Sequence, residues 1–232
     1  MRRLIVLSVC ACLLGCGAAE PPKKVAKAKK KSAAPAVVEQ KPKEPPPPVK
    51  VDANAFPSIP AALDAYLAAV EKDDQETMAL ANNWMVSQGA KGVDPLSTIL
   101  ANESASVQQR IVACKILAQL PGTKNALMGA VDVENKQLRL NVIQALGKVK
   151  PADKQVIDKL MELAKGKDES VQRDAVRSLG KLGPAAKDAV PMVQSMLNDT
   201  SYNETVRAEA RNTLKSIDPR KGLMGISGEK GK

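Results

Sequence analysis

The sequence predicts an all-α protein, an α-solenoid of stacked antiparallel helix pairs that follows a disordered N-terminal linker. Three observations support this fold class. A stretch with helical spacing of apolar residues occurs four times, aromatic residues make up only 2% of the chain, and residues 17–55 are rich in Lys, Pro and Ala. A core that is poor in aromatic residues suits thin helical layers better than a β-sandwich or barrel.

The clearest copy of the repeated stretch is DESVQRDAVRSLGKLG, residues 168–183. Asp168 predicts the helix start, because its carboxylate can accept hydrogen bonds from the unpaired amides of the first turn. Gly183, followed by proline, predicts the end. One face of the helix then carries the apolar residues Val171, Ala175, Leu179 and Leu182.

The other three copies begin at the predicted caps Ser106, Asn135 and Asn203. Positions are counted below from each cap. Position +7 holds Ala113, Val142, Ala175 or Ala210, position +11 holds Leu117, Leu146, Leu179 or Leu214, and position +14 holds Leu120, Val149, Leu182 or Ile217. The caps are 29, 33 and 35 residues apart. This period predicts a solenoid whose units bury their apolar faces against their neighbours.

At the N-terminus, a basic start at residues 1–3 precedes a short apolar run at residues 4–14 that ends in Leu-Leu-Gly-Cys16. This pattern resembles the lipobox of bacterial lipoproteins. The resemblance implies that residues 1–15 are a signal peptide and that Cys16 carries a lipid. It also implies a location in the bacterial cell envelope, on the periplasmic side or at the outer membrane. An ordinary secretory signal with a chance cysteine is the alternative.

Residues 16–55 form the predicted linker. Residues 1–50 hold eleven Lys/Arg and three Asp/Glu, a net charge of +8. Within residues 17–55, large apolar residues are too sparse to offset the entropy of ordering. The linker is interpreted either as a solvated spacer or as a contact with anionic lipid or cell wall.

The solenoid is predicted over residues 56–219, and a disordered tail over residues 220–232. Its first helix pair starts at Ser58, departs from the repeat register and is interpreted as a capping unit that seals the stack. Trp84 then belongs to the core, or alternatively offers a stacking platform to a ligand. Gly89 and Gly92 are expected to close this pair.

The first helices of the four repeats are expected over residues 95–102, 124–131, 153–165 and 189–198. Asp94-Pro95 and Lys150-Pro151 are interpreted as start signals. Gly147 and Gly180, both at position +12, predict a close approach between helices.

Residues 93–219 resemble HEAT repeats of the short bacterial type, most closely in the run LGKLGPAAKDAVPMVQSMLND at 179–199. The shared pattern is a cap, then Arg at +4, Ala at +7 and Leu at +11. The departures are Gln172 for Arg, Val142 for Ala, and Asn or Ser for Asp at three caps. The resemblance implies an α-solenoid whose second helices line a concave binding face. It also implies a ladder of Asp and Arg side chains between repeats. Here part of that ladder would be uncharged, because Gln, Asn and Ser replace some of its Arg and Asp residues.

The composition argues against catalysis. The chain has no histidine, no phosphate-binding loop and, after Cys16, only Cys114, which is expected to be a buried, inert thiol. Residues 51–219 hold twenty Lys/Arg and twenty-one Asp/Glu, a net charge of −1, so a nucleic-acid groove is not expected. The chain is predicted to have no cofactor or metal and not to be an enzyme.

The side of the second helices opposite the apolar stripe gives the candidate protein-binding residues. These are Ile111, Lys115, Leu140, Gln144, Lys148, Arg173, Arg177 and Lys181. A mixed apolar and basic strip suits a protein or peptide with acidic residues. A merely solvated helix face is the alternative.

Taken together, these features predict a membrane-tethered interaction or scaffold module of the bacterial cell envelope with an unknown protein or peptide partner. A structural envelope spacer acting through the Lys/Pro linker is the second interpretation. An enzyme or enzyme subunit is the third, and no site in the sequence supports it.

Overall fold

The computed structural model describes residues 52–220 of the 232-residue chain. Cys16, the predicted signal peptide, most of the predicted linker and the tail after Arg220 therefore lie outside the described residues. The helices are α1 (Ile59–Glu71), α2 (Gln75–Ser87), α3 (Ala90–Ala101), α4 (Val107–Leu117), α5 (Lys124–Gly129), α6 (Lys136–Leu146), α7 (Lys154–Ala164), α8 (Glu169–Leu182), a 3₁₀ segment (Gly183–Ala189), α9 (Val190–Asn198) and α10 (Glu204–Ile217). No β-strand occurs within residues 52–220.

The helices pack as neighbouring pairs, α1 with α2, α3 with α4, α5 with α6, α7 with α8 and α9 with α10. The second helices of the repeats also pack in series, α4 against α6, α6 against α8 and α8 against α10. This arrangement confirms the predicted α-solenoid.

Each second helix begins at its predicted cap. Ser106 forms a reciprocal capping box with Gln109, and Asp168 accepts hydrogen bonds from the amides of Ser170 and Val171 at 2.9 and 3.2 Å. Asn135 and Asn203 cap α6 and α10 in the same way. The caps satisfy amides that would otherwise lack a partner.

The predicted apolar stripe forms the core. All four residues at +7 and all four at +11 are buried, and most of them are fully inaccessible. At +14, Leu120 and Ile217 are buried, whereas Val149 and Leu182 are half-buried at its edge.

A glycine joint holds α6 against α8, and a second one holds α8 against α10. A Cβ added to Gly147 would lie 2.8 Å from the Cα of Ser178, and one added to Gly180 would lie 2.9 Å from the Oγ1 of Thr213. Ser178 and Thr213, both at +10, donate hydrogen bonds to carbonyl oxygens at +8 of the preceding repeat, at 2.9 and 3.0 Å. The close approach predicted from these glycines is therefore confirmed.

The starts of two first helices differ from the prediction. Helix α3 begins at Ala90, so Pro95 lies inside it and is not its start. Gly89, with a φ of +54°, already turns the chain after α2, and Gly92 is buried within α3 instead of ending the preceding helix. Helix α7 begins after Asp153, which caps it, and not directly at Pro151.

The α1–α2 pair at the N-terminal end of the stack contains Trp84. Its side chain is 5% exposed, its Nε1 donates to the carbonyl of Ala53 at 2.9 Å, and its ring meets Phe56 edge-on. Trp84 is a core residue of the capping unit, and a stacking platform for a ligand does not fit its burial. Among residues 52–220, no helix combines the length and apolar character needed to cross a bilayer.

Candidate protein-binding site

In three of the four repeats, the residue at +4 holds the repeat together internally. Arg110 donates to the carbonyl of Leu100 at 2.9 Å, Arg139 to that of Val133 at 2.8 Å and Gln172 to that of Gly166 at 2.6 Å. Each acceptor belongs to the end of the first helix or to the loop that follows it. Gln therefore replaces Arg without loss of the contact, and these side chains do not form the ladder between repeats that the family resemblance implied.

Of the two apolar residues in the predicted binding strip, Ile111 is wrongly assigned to the surface, and Leu140 stays a prediction. Ile111 is buried, with 3% of its surface exposed, and Leu140 is half-buried against the core. Helix α4 packs against α1 and α2 as well as against α3 and α6, so a wider arc of its surface is covered. Ile111 at +5 falls within that arc and cannot meet a partner.

The basic residues on α8 lie on the surface, but Arg177 is already paired. It contacts Glu209 at 2.9 Å and Asp174 at 3.4 Å, and hydrogen bonding by Glu209 raises the pKa of its guanidinium. The Nε of Arg173 lies 3.6 Å from the same Asp174. A glutamate at position 177 would face both carboxylates, so Arg177 stabilises the stack instead of offering charge to a ligand.

These contacts reveal a polar ladder between second helices, in which the side chain at +9 of one repeat reaches +6 of the next. Gln144 donates to Asp174 at 2.8 Å, and Arg177 donates to Glu209 at 2.9 Å. Asp174 is only 2% exposed, so its carboxyl group takes its hydrogen bonds from Gln144 and Arg177 and not from water. Asp174 and Glu209 are not among the predicted site residues, although both lie at position +6 in adjacent repeats.

The ladder changes at the junction of α4 and α6. Lys115 occupies +9 and Asn141 occupies +6, so the acceptor carboxylate is absent there. Asn141 turns back to its own helix, where its Nδ2 donates to the carbonyl of Gln137 at 2.9 Å.

A groove of about 270 Å³ lies at this same junction. Its apolar lining includes Val112, Ile116 and Ala145, and its polar lining includes Lys115, Asn141, Gln144 and Lys148. Three residues of the predicted strip, Lys115, Gln144 and Lys148, are therefore brought together around one groove. The groove suits a few side chains better than a whole small molecule, because ligand pockets commonly span about 300–1,000 Å³.

Lys115, Lys148 and Lys181 give the groove and its surroundings a positive charge. None of the three has a carboxylate within ion-pair distance among residues 52–220. Loss of surrounding water lowers the pKa of Lys181, and the nearby charges of Lys148 and Arg177 lower it further. The charges of Asp174 and Glu209 act in the opposite direction and offset part of this effect at Lys181.

The remaining chemistry of the described residues is structural. Burial raises the pKa of the Cys114 thiol to about 12, which keeps it protonated and unreactive. Asp74 and Asp168 cap helices, as expected. In the part of the chain that the structure describes, no three Asp, Glu or Cys side chains come together in a way that could hold a metal ion.

Comparison with known protein families matches residues 157–223 to HEAT repeats. The match covers α7–α10, where the glycine joint and the polar ladder are best developed. A comparison with curated proteins gave no match. The N-terminal repeats continue the same packing of helix pairs, with second helices in series. The match identifies the C-terminal part of the chain, residues 157–223, as HEAT repeats.

Proposed function

We propose that this chain is an interaction or scaffold module that holds a partner protein on the face of its second helices. HEAT repeats generally serve protein–protein interaction, and an extended stack presents more surface than a compact domain of the same length. The observation that carries the proposal is the cluster of Lys115, Lys148 and Lys181 beside the open groove. Elsewhere on this face, the charges of Arg177 and Glu209 neutralise one another, and Asp174 is bound by Gln144 and Arg177.

The chemistry of this surface favours a partner with acidic residues. When a partner's carboxylate binds an exposed lysine that has no ion pair, no ion pair within the chain has to be broken. The attraction between opposite charges also raises the association rate. Apolar groups at the floor of the groove would add the burial that stable recognition needs.

The test is partner capture by full-length chain crosslinked in native membranes, followed by mass spectrometry. A Lys115→Glu/Lys148→Glu variant is compared with Lys165→Glu/Lys187→Glu, which changes the same charge at exposed positions away from the groove. Both variants should melt nearly as the wild type does, because surface substitutions of this kind change stability by about 0.5 kcal/mol or less. The first should lose the crosslinked partner and the second should retain it. Equal capture by both variants would exclude this face as the binding site.

We further propose that a lipid on Cys16 tethers the module to a membrane of the cell envelope. The support is the lipobox-like Leu-Leu-Gly-Cys16 at the end of a short apolar run. About forty linker residues at roughly 3 Å each would let the repeats work up to about 100 Å from the surface. Cys16→Ser should move the protein to the soluble fraction or stall its processing. An unchanged membrane fraction together with an unchanged mature mass would refute the tether.

The Lys/Pro linker supports a second function, that of an envelope spacer. The linker, residues 16–55, holds nine Lys and four Asp/Glu, and this net charge of +5 suits contact with anionic lipid or cell wall. Partner capture by the repeats without the linker, compared with capture by the linker alone, separates the two functions.

A further inference from the structure

We infer that the groove between α4 and α6 binds a carboxylate from an acidic segment of a partner protein, which takes the ladder position that Asn141 leaves uncharged. The inference rests on the proposed function and deepens it, because it assigns both the junction and the chemical group that the partner supplies.

The first argument is the ladder itself. At two successive junctions, a donor at +9 meets a carboxylate at +6 of the next repeat, in Gln144–Asp174 and Arg177–Glu209. At the α4–α6 junction the donor is Lys115, a full positive charge, and the residue at +6 is neutral Asn141. The stack thus contains a donor in register without its acceptor.

The second argument is that this junction is open. Ser178 and Thr213 pack onto glycines and bind backbone carbonyls at the two closed junctions. The corresponding positions between α4 and α6 hold Ala145 and Ala118. Ala145 has no hydroxyl that could bind a carbonyl, and Ala118 carries a Cβ where the closed junctions have glycine. Both alanines line the groove, so the glycine joint is absent where the groove lies.

The third argument concerns the source of the carboxylate. The chain's own termini are basic, +8 over residues 1–50 and +3 over residues 220–232, so neither complements Lys115 and Lys148. The half-buried side chains of Tyr66 and Ala118 at the groove favour a peptide with alternating acidic and apolar residues over a polyanion without apolar groups. An acidic segment of another protein meets both requirements.

The experiment measures binding of fluorescein-labelled probes to the full chain by fluorescence anisotropy. The probes are a short peptide of alternating glutamate and leucine, the same peptide with glutamine, and a single-stranded oligonucleotide. The variants are Lys115→Gln, Asn141→Asp and the control Lys187→Gln, and each changes the net charge by −1. Asn141→Asp supplies the missing acceptor from within the chain and should compete with the probe.

The glutamate peptide should bind, and the glutamine peptide should bind about tenfold more weakly, as expected for loss of one charge-assisted hydrogen bond. Lys115→Gln and Asn141→Asp should each weaken binding of the glutamate peptide about tenfold, whereas Lys187→Gln should not. In a double-mutant cycle, Asn141→Asp should have little further effect once Lys115 is replaced. Circular dichroism confirms that each variant is folded.

Equal binding of the two peptides, tighter binding of the oligonucleotide, or no effect of Asn141→Asp would overturn the inference. Self-association of the wild type that Asn141→Asp abolishes would also overturn it, because a second copy would then supply the carboxylate. Failure here is distinguishable from failure of the proposed function. A native partner that crosslinks only to α8 or α10 would leave the interaction role intact, whereas no partner on any second helix would remove it.

Discussion

Replacing Gly147 with alanine should separate α6 from α8. The added Cβ would lie 2.8 Å from both the Cα and the Cβ of Ser178 and 3.0 Å from its Oγ. The Cα belongs to the backbone of α8, so a change of side-chain rotamer cannot relieve the contact. The two helices must move apart, and the hydrogen bond from Ser178 to the carbonyl of Ile143 must lengthen from 2.9 Å.

The cost has two parts and one offset. Overpacking of a closely packed site costs about 1–3 kcal/mol. The Ser178 hydroxyl is fully buried, and leaving it without a partner costs about 1–3 kcal/mol. Alanine improves helix propensity over glycine by at most about 1 kcal/mol. We therefore expect a loss of about 1–5 kcal/mol, which lowers the melting temperature by roughly 2–20 °C for a chain of this size.

Urea unfolding of the full chain, followed by circular dichroism at 222 nm, measures the loss. Gly129→Ala is the matched control, because a Cβ at Gly129 meets no heavy atom within 4 Å. The control should be neutral or stabilising by about 0.4–1 kcal/mol. If Gly147→Ala is as stable as Gly129→Ala, the glycine joint does not hold the second helices together.

Four further predictions concern the core, the ladder, a cap and the thiol. Leu179→Ala, in a central repeat, should cost about 2–5 kcal/mol in urea unfolding, and Leu214→Ala less, because the terminal repeat lacks a neighbour on one side; equal costs would count against a linear stack. Asp174→Ala should cost about 3 kcal/mol, the low end for a broken buried pair, because its arginine partners can still reach water; a loss under about 0.5 kcal/mol would show that the ladder is not structural. The hydrogen bond from Lys136 holds the pKa of Asp168 below its usual value, so the stability it adds is present above about pH 4 and is lost as the pH falls through the lowered pKa. In Asp168→Asn, the midpoint of urea unfolding should fall less steeply with decreasing pH than in the wild type. An unchanged dependence of the midpoint on pH would contradict the assignment. Cys114 should resist iodoacetamide at about pH 8 in the folded chain and react in urea, as measured on its peptide by mass spectrometry; rapid labelling of the folded chain would disprove its burial.

The repeated helices could be predicted from the sequence because their signals are local. A cap, apolar residues at helical spacing and a terminating glycine lie within about sixteen residues of one another, as in residues 168–183. Gly147 and Gly180 also predicted the close contacts between helices, since glycine destabilises a helix and a close approach of a neighbouring helix is a reason to keep it there. The starts of α3 and α7 were harder to predict from the sequence, because proline can precede a helix or lie within its first turns.

The candidate site was only partly predictable. Lys115, Gln144 and Lys148 line one groove, because the position of a residue along its helix fixes the side that it faces. The burial of Ile111 depends on how α1 and α2 cover α4, and the pairing of Arg177 depends on Glu209, 32 residues away. Neither contact follows from the period of a single helix. The groove is lined by Ala118 and Ala145, at the positions that hold glycine and Ser or Thr at the α6–α8 and α8–α10 junctions.

The central claim, that a partner binds the second-helix face at the α4–α6 groove, is tested most directly by site-specific photo-crosslinking in native membranes. A photoreactive residue replaces Gln119, which lines the groove, or Lys165, at the end of the first helix α7. Position 119 should capture a discrete partner, and Asn141→Asp should abolish that capture, whereas position 165 should give no adduct. The same adduct from both positions, or none from position 119, would contradict the account.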